Sequence, residues 1–162
     1  MADIQKIFNS AEFVSEGHKS FAYSIYLGAL SDKHLAKKLE GFNLAVNKYR
    51  ILRGLAKVHP EGTGVYKLKE FLVVGDADIS RLVNRLVARE LVTREPGKEN
   101  RSSMQVTITE KGLQLIREVQ ANLPEFIEPM MCFTEDEARQ LNQLLAKAID
   151  SFVAIDQKAT QN

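Results

Sequence analysis

Ile79-Ser80-Arg81-Leu82-Val83-Asn84-Arg85-Leu86-Val87 is a stretch with two faces. At helical spacing Ile79, Leu82, Val83, Leu86 and Val87 fall on one side. Asp78, Ser80, Arg81, Asn84, Arg85 and Ala88 fall on the other. Ahead of it, Val65, Leu68, Phe71 and Leu72 predict a short helix over 65–73, and Val74-Gly75-Asp76 breaks that helix sharply. Asp76 is the expected N-cap of the second helix, because its carboxylate can accept from the unpaired amides there. A short helix, a tight turn and an amphipathic helix with a polar Arg/Asn/Ser face together form the pattern of a helix-turn-helix.

The next segment is read at a different period. Val92 and Arg94, then Met104, Val106 and Ile108, alternate along two extended arms, and Pro96-Gly97-Lys98-Glu99-Asn100 forms the turn between them. This predicts a β-hairpin with a charged tip. A helix-turn-helix followed by such a hairpin is a winged helix. An α-helix fits the major groove, where its exposed side chains reach base edges. Arg81 and Arg85 are four residues apart and project from one face. Either suits a bidentate contact with guanine or a phosphate. Asn84 suits adenine, and Ser80 suits a base or a phosphate. Lys98 and Arg101 sit near the hairpin tip, where phosphates or a minor groove are within reach. Arg94 has two readings, a partner within the wing or a contact to DNA.

The flanks of this module read as helices. Between Lys19 and Leu44 the positions Phe21, Ala22, Ile25, Tyr26, Ala29, Leu30, Leu35, Leu39 and Phe42 follow helical spacing. Gly28 and Ser31-Asp32 leave open a division into two helices, with Ser31 or Asp32 capping the second. Val46, Tyr49, Leu52 and Leu55 predict another helix over 45–58, which His59-Pro60-Glu61-Gly62-Thr63-Gly64 ends. Thr109 is placed to cap a helix carrying Leu113, Leu115, Ile116 and Val119. Pro124 and Pro129 bound or kink the segment after that helix. Thr134-Glu135-Asp136-Glu137 is a capping-box pattern, and the stripe behind it is Ala138, Leu141, Leu144, Leu145, Ala148, Ile149 and Phe152. Residues 1–18 read as a short helix or a loose arm.

Composition narrows the function classes. The chain has 162 residues, 44% hydrophobic and 27% charged, which is ordinary for a globular domain and argues against general disorder. The net charge is +1, but it is unevenly distributed. Residues 43–112 hold 13 Lys and Arg against 8 Asp and Glu, a local +5, and the remainder holds 9 against 13, a local −4. A basic middle between acidic flanks fits a nucleic-acid-binding module between assembly elements, and it also fits ordinary surface scatter. One cysteine, Cys132, excludes an intrachain disulfide and disfavours a cysteine-based zinc site. His18, His34 and His59 have no paired metal-ligand spacing, so no metal and no cofactor is expected. No apolar run approaches a membrane span, and the first residues do not read as a signal peptide, so a reducing cytoplasm is the expected location. The phosphate-cradling, nucleophile-elbow and zinc-protease patterns are missing from the sequence, and no catalytic residue is assigned.

In the order of these elements the chain resembles the MarR family of bacterial winged-helix transcription regulators. The resemblance is carried by Ile79 to Leu86, Leu91-Val92-Thr93-Arg94, Asn100-Arg101 and Val106-Thr107-Ile108-Thr109-Glu110-Lys111-Gly112. The first looks like the family's recognition helix. Arg101 falls at the wing arginine, and the last looks like the second wing strand running into the following helix. The sequence also departs from the family pattern. The wing reads Asn100-Arg101-Ser102 without the usual acid and second arginine, and Glu90 stands where glycine is common. Asp76 and Asp78 place two acids where phosphate would approach. They can cap the helix, and Asp78 can accept from cytosine N4.

The resemblance implies a mainly α (α+β) fold, a winged helix-turn-helix with N- and C-terminal dimerisation helices. Residues 1–44 would be an arm and dimerisation helix, 45–109 the DNA-binding lobe, and 110–162 the C-terminal dimerisation helices. It further implies a homodimer on a pseudo-palindromic double-stranded operator, with regulation that is most often repression. A small effector, often an aromatic or phenolic acid, would bind between the dimerisation helices and the DNA-binding lobe. Tyr23, Tyr26 and Tyr49 are the candidate effector residues, and dimer or domain core is the reading favoured over a pocket for them. The resulting DNA-contact set is Asp78, Ser80, Arg81, Asn84, Arg85, Lys98 and Arg101. Two other classes stay open: a winged helix that binds protein in place of DNA, and a thiol-based enzyme or sensor using Cys132, which otherwise reads as a buried or incidental cysteine.

Overall fold

A computed structural model describes residues 13–72, 78–97 and 104–160. Two compact units divide the chain, one ending at Asn122 and the other starting at Leu123.

The first unit opens with α1 (Glu16–Glu40). Ser15 caps it, its hydroxyl accepting from the His18 amide at 3.1 Å. The helix runs unbroken through Gly28 and Ser31-Asp32, so the division into two helices is not made. Asp32 has another use: its carboxylate accepts from Arg50 at 2.6 Å, tying α1 to α2 (Val46–Val58). Tyr49, Ile51, Leu52 and Leu55 of α2 are buried, close to the stripe predicted from their spacing. Thr63 and Gly64 form a short strand, β1, where the sequence reads only as a turn. The 3-10 helix Val65–Phe71 follows in place of an α-helix. Gly54 is the reason Phe71 can lie against α2, because a Cβ at that position would overlap the phenyl ring.

The amphipathic stretch forms α3 (Ile79–Val87). Val83 and Leu86 are fully buried, whereas Val87, expected on the apolar face, is 38% exposed at the end of the helix. The helix stops through two bonds, Glu90 N–H to the Val87 carbonyl at 2.8 Å and Leu91 N–H to the Leu86 carbonyl at 3.0 Å. This is a Schellman stop, with buried Leu86 and Leu91 as its apolar pair. Glu90 occupies the left-handed position at φ 60°, where glycine is most at ease. The departure from the family pattern at residue 90 thus falls on the one residue of this stop that requires positive φ.

The hairpin is β2 (Val92–Pro96) and β3 (Met104–Ile108), antiparallel, with Arg94 opposite Val106 and Val92 opposite Ile108. β1 adds to the other edge of β3, giving the order β1-β3-β2. The Gln105 side-chain amide donates to the Glu61 carbonyl and closes the base of the sheet. Then α4 (Glu110–Ala121) begins at Thr109, whose hydroxyl accepts from the Gly112 amide at 3.1 Å and donates to the Glu90 carbonyl at 2.7 Å. Leu39, Ile51, Leu52, Leu55, Leu68, Val83, Leu86, Val106, Ile116 and Val119 make one core beneath these elements.

The second unit holds α5 (Leu123–Ile127), a 3-10 turn over Glu128–Met130, and α6 (Glu135–Thr160). The capping box forms as predicted: Thr134 N–H donates to Glu137 Oε2 at 2.8 Å, and Glu137 N–H donates back to Thr134 Oγ1 at 3.3 Å. Cys132 is exposed, not buried, with Sγ 3.5 Å from the Pro129 carbonyl. Among the described residues no helix is long and apolar enough to cross a membrane, and no group of His, Cys, Asp and Glu is arranged to hold a metal ion.

Candidate nucleic-acid interface

Helix α3 is held from its buried side and left open on the other. Val83 and Leu86 lock it to the core, while Ser80, Arg81, Asn84 and Arg85 are all exposed. The four side chains predicted to face DNA from this helix therefore share one solvent-facing surface. Asp78 is the cap, its Oδ1 accepting from the Arg81 amide at 3.0 Å. Of the two roles open to Asp78, capping is the one seen in the structure. Asp76, the residue expected to cap, lies outside the described residues, as do Lys98, Asn100, Arg101 and Ser102 at the hairpin tip.

Arg94 comes from the neighbouring strand. It is half-buried on β2, and its Nη1 donates to Asn84 Oδ1 at 3.3 Å. Its Nε is buried without a hydrogen-bond partner among the described residues. Among the described residues, the hydrogen-bond partner of Arg94 is thus on α3 and not on the opposite arm of the hairpin.

The electrostatics add two residues absent from the sequence-derived set. Lys48, half-buried near the start of α2, is held below the ordinary lysine range, first by burial and then by the positive charges of Arg85 and Arg89. Arg89 is anchored, its Nη1 donating to the Asn43 carbonyl at 2.6 Å. Lys48 and Arg89 therefore extend the positive field around Arg85. No local pattern links Lys48 to α3, because the two lie on different elements far apart in sequence. The regional excess of Lys and Arg is the only sequence signal of this cluster.

The three tyrosines fare differently. Tyr49 is buried in the core. Tyr23 is half-buried, edge-on to Phe13 at 6.0 Å, with Lys19 Nζ 5.8 Å from its ring centre. Tyr26 is 36% exposed. Both outer helices carry apolar residues in the open: Phe21, Ile25, Leu27 and Leu30 on α1, and Leu144, Ile149, Phe152, Val153 and Ile155 on α6.

Comparison with known proteins places this geometry in context. An HTH-type transcriptional regulator of Bacillus subtilis, YpoP, itself uncharacterised, is 31% identical over 108 residues, covering 64% of this chain and 73% of the relative. A MarR-like transcription regulator from Bacillus cereus superposes with a TM-score of 0.75 at 21% identity, covering 84% of this chain and 97% of the other. A MarR mutant from E. coli, solved in complex with operator DNA, superposes with a TM-score of 0.73 at 20% identity, covering 85% and 99%. No family profile matches the chain.

Proposed function

The chain belongs to the MarR family of winged helix-turn-helix transcriptional regulators, and we propose that it binds a pseudo-palindromic operator in double-stranded DNA as a homodimer. The observation that carries this reading is the single exposed face of Ser80, Arg81, Asn84 and Arg85 on a helix whose opposite side is locked into the core. A rigid helix with that face fits the major groove, with arginine reading guanine or phosphate and asparagine reading a base edge. Lys98 and Arg101 on the wing complete the contact set by reaching phosphates or the adjoining minor groove. The E. coli MarR mutant of the same fold, solved in complex with operator DNA, supports DNA as the partner.

The exposed apolar stripes of α1 and α6 supply the second half of the reading. Exposed apolar stretches of this extent are uncommon on monomers and suit burial against a second copy. Two copies related by a two-fold axis would present their α3 helices about one DNA turn apart, roughly 34–36 Å. Repression is the sign of regulation this reading favours, in a bacterial cytoplasm. An aromatic acid is the proposed effector, with ring surface offered by Tyr23 and Tyr26, and Tyr49 contributing from the core. It acts only if it prefers one spacing of the two recognition helices over another. The reading assigns no catalytic role to the chain.

Selection of bound DNA from a random pool, followed by titration at several salt concentrations, tests the proposal. Arg85→Ala should cost about 1–3 kcal/mol and relax sequence preference. Arg101→Ala should weaken binding evenly across sequences and reduce the salt slope. Parent-like binding by both variants would refute the assignment.

A further inference from the structure

We propose that Arg94 is a specificity-determining positioning residue: its hydrogen bond fixes the Asn84 amide so that α3 presents a donor, and not an acceptor, to the DNA. The inference rests on the DNA-binding reading and deepens it.

The chemistry at the contact is one-sided. A guanidinium has only donors, so the Asn84 atom facing Arg94 Nη1 must be the amide oxygen. The Asn84 amide is planar, and its oxygen and nitrogen occupy opposite edges. With Oδ1 turned to β2, the Nδ2 edge turns away from the strand, on a side chain that is itself exposed. Arg94 in turn has little freedom to leave. It is half-buried on a strand paired along its length with β3, and its Nε is enclosed without a hydrogen-bond partner among the described residues.

An asparagine held in this way differs from a free one. A free asparagine pairs bidentately with adenine by accepting from N6 and donating to N7. With Oδ1 turned toward the Arg94 guanidinium and away from the groove, the edge left to the DNA is a pair of N–H donors. In the major groove adenine offers N7, guanine offers N7 and O6, and thymine offers O4, whereas cytosine offers only the N4 donor. The fixed amide should therefore tolerate those three bases and reject cytosine at the position it contacts.

The test is the base-preference profile of the full-length protein, taken by selection from a random duplex pool. The parent should disfavour cytosine by about tenfold at one position in each half-site. Arg94→Met removes the donor and keeps an unbranched side chain, and it should shift that position alone toward adenine. Asn84→Asp changes only an exposed atom and keeps the Arg94 partner, so it probes the same contact if Arg94→Met fails to fold. Its acceptor-only carboxylate should turn the preference at that position toward cytosine. A parent that selects a DNA sequence while a folded Arg94→Met returns its profile would overturn this inference alone, whatever Asn84→Asp does. So would a uniform loss of affinity with no change at any single position. A parent that selects no sequence would overturn the functional reading and this inference with it.

Discussion

The Asp78 carboxylate and the Arg81 backbone amide are joined across the first turn of α3 at 3.0 Å. This bond satisfies one of the orphan amides at the start of the helix and sets where the helix begins. The acidic residue therefore has a structural use at the very end of the helix proposed to face DNA. Asp78→Ala should destabilise the fold by about 0.5–2 kcal/mol, read from urea unfolding. Asp78→Ser keeps an oxygen at the cap and should recover most of that loss. An Asp78→Ala protein with the parent's midpoint would show that the cap contributes nothing.

Acid should weaken the fold through two exposed carboxylates. Glu90 is held below its ordinary value of 4.5 by its hydrogen bond to Lys111, at 2.7 Å, and then by that lysine's charge. Glu137 is held below the same value by the amide and then the hydroxyl of Thr134. For a carboxylate whose folded pKa is depressed, the stabilisation is present above the unfolded value and is lost as pH falls through the folded one. Stability should therefore decline below about pH 4.5 in proportion to these two groups. Glu90→Gln with Glu137→Gln should flatten the slope of urea midpoint against pH in that range. An unchanged slope in the double variant would assign acid sensitivity to other groups.

The junction of α3, β2 and α4 should be the most exacting part of the backbone. At Gly112 a Cβ would overlap the Leu91 carbonyl oxygen and stand 2.7 Å from Ile108 Cγ1. Because one obstacle is backbone, Gly112→Ala forces α4 away from the hairpin and should cost about 1–3 kcal/mol. At Glu90 the constraint is the left-handed conformation. Glu90→Val should lower the urea midpoint, since a β-branched residue resists positive φ, and Glu90→Gly should not. Equal midpoints for those two variants would contradict the assignment of strain to this residue.

A charge placed in the α6 stripe should separate the protomers. Leu144 and Ile149 are 67% and 60% exposed in the single chain. Ile149→Glu should convert a dimer to a monomer by sedimentation velocity while leaving the circular dichroism of the folded chain intact. Operator affinity should fall with it, because one half-site contact is lost along with the tether that makes the second one local. Dimeric Ile149→Glu would move the interface elsewhere.

The sequence by itself determined the elements whose cause is local. Helical periodicity located α3, two-residue alternation located both arms of the hairpin, and Thr109 and Thr134 announced their helices because a cap bonds only two or three residues ahead. The polar face of α3 was legible for the same reason: a helix has a fixed period, so the exposed side follows once the apolar side is known. Tertiary structure alone decided the rest. β1 exists because β3 offers an edge to Thr63 and Gly64, and no two-residue strand has a pattern of its own. The partner of Arg94, the charge of Arg85 upon Lys48, and the uninterrupted run of α1 through Ser31-Asp32 arise between elements distant in sequence. Such contacts depend on how the elements pack, and packing is settled by the core as a whole, not by any one segment.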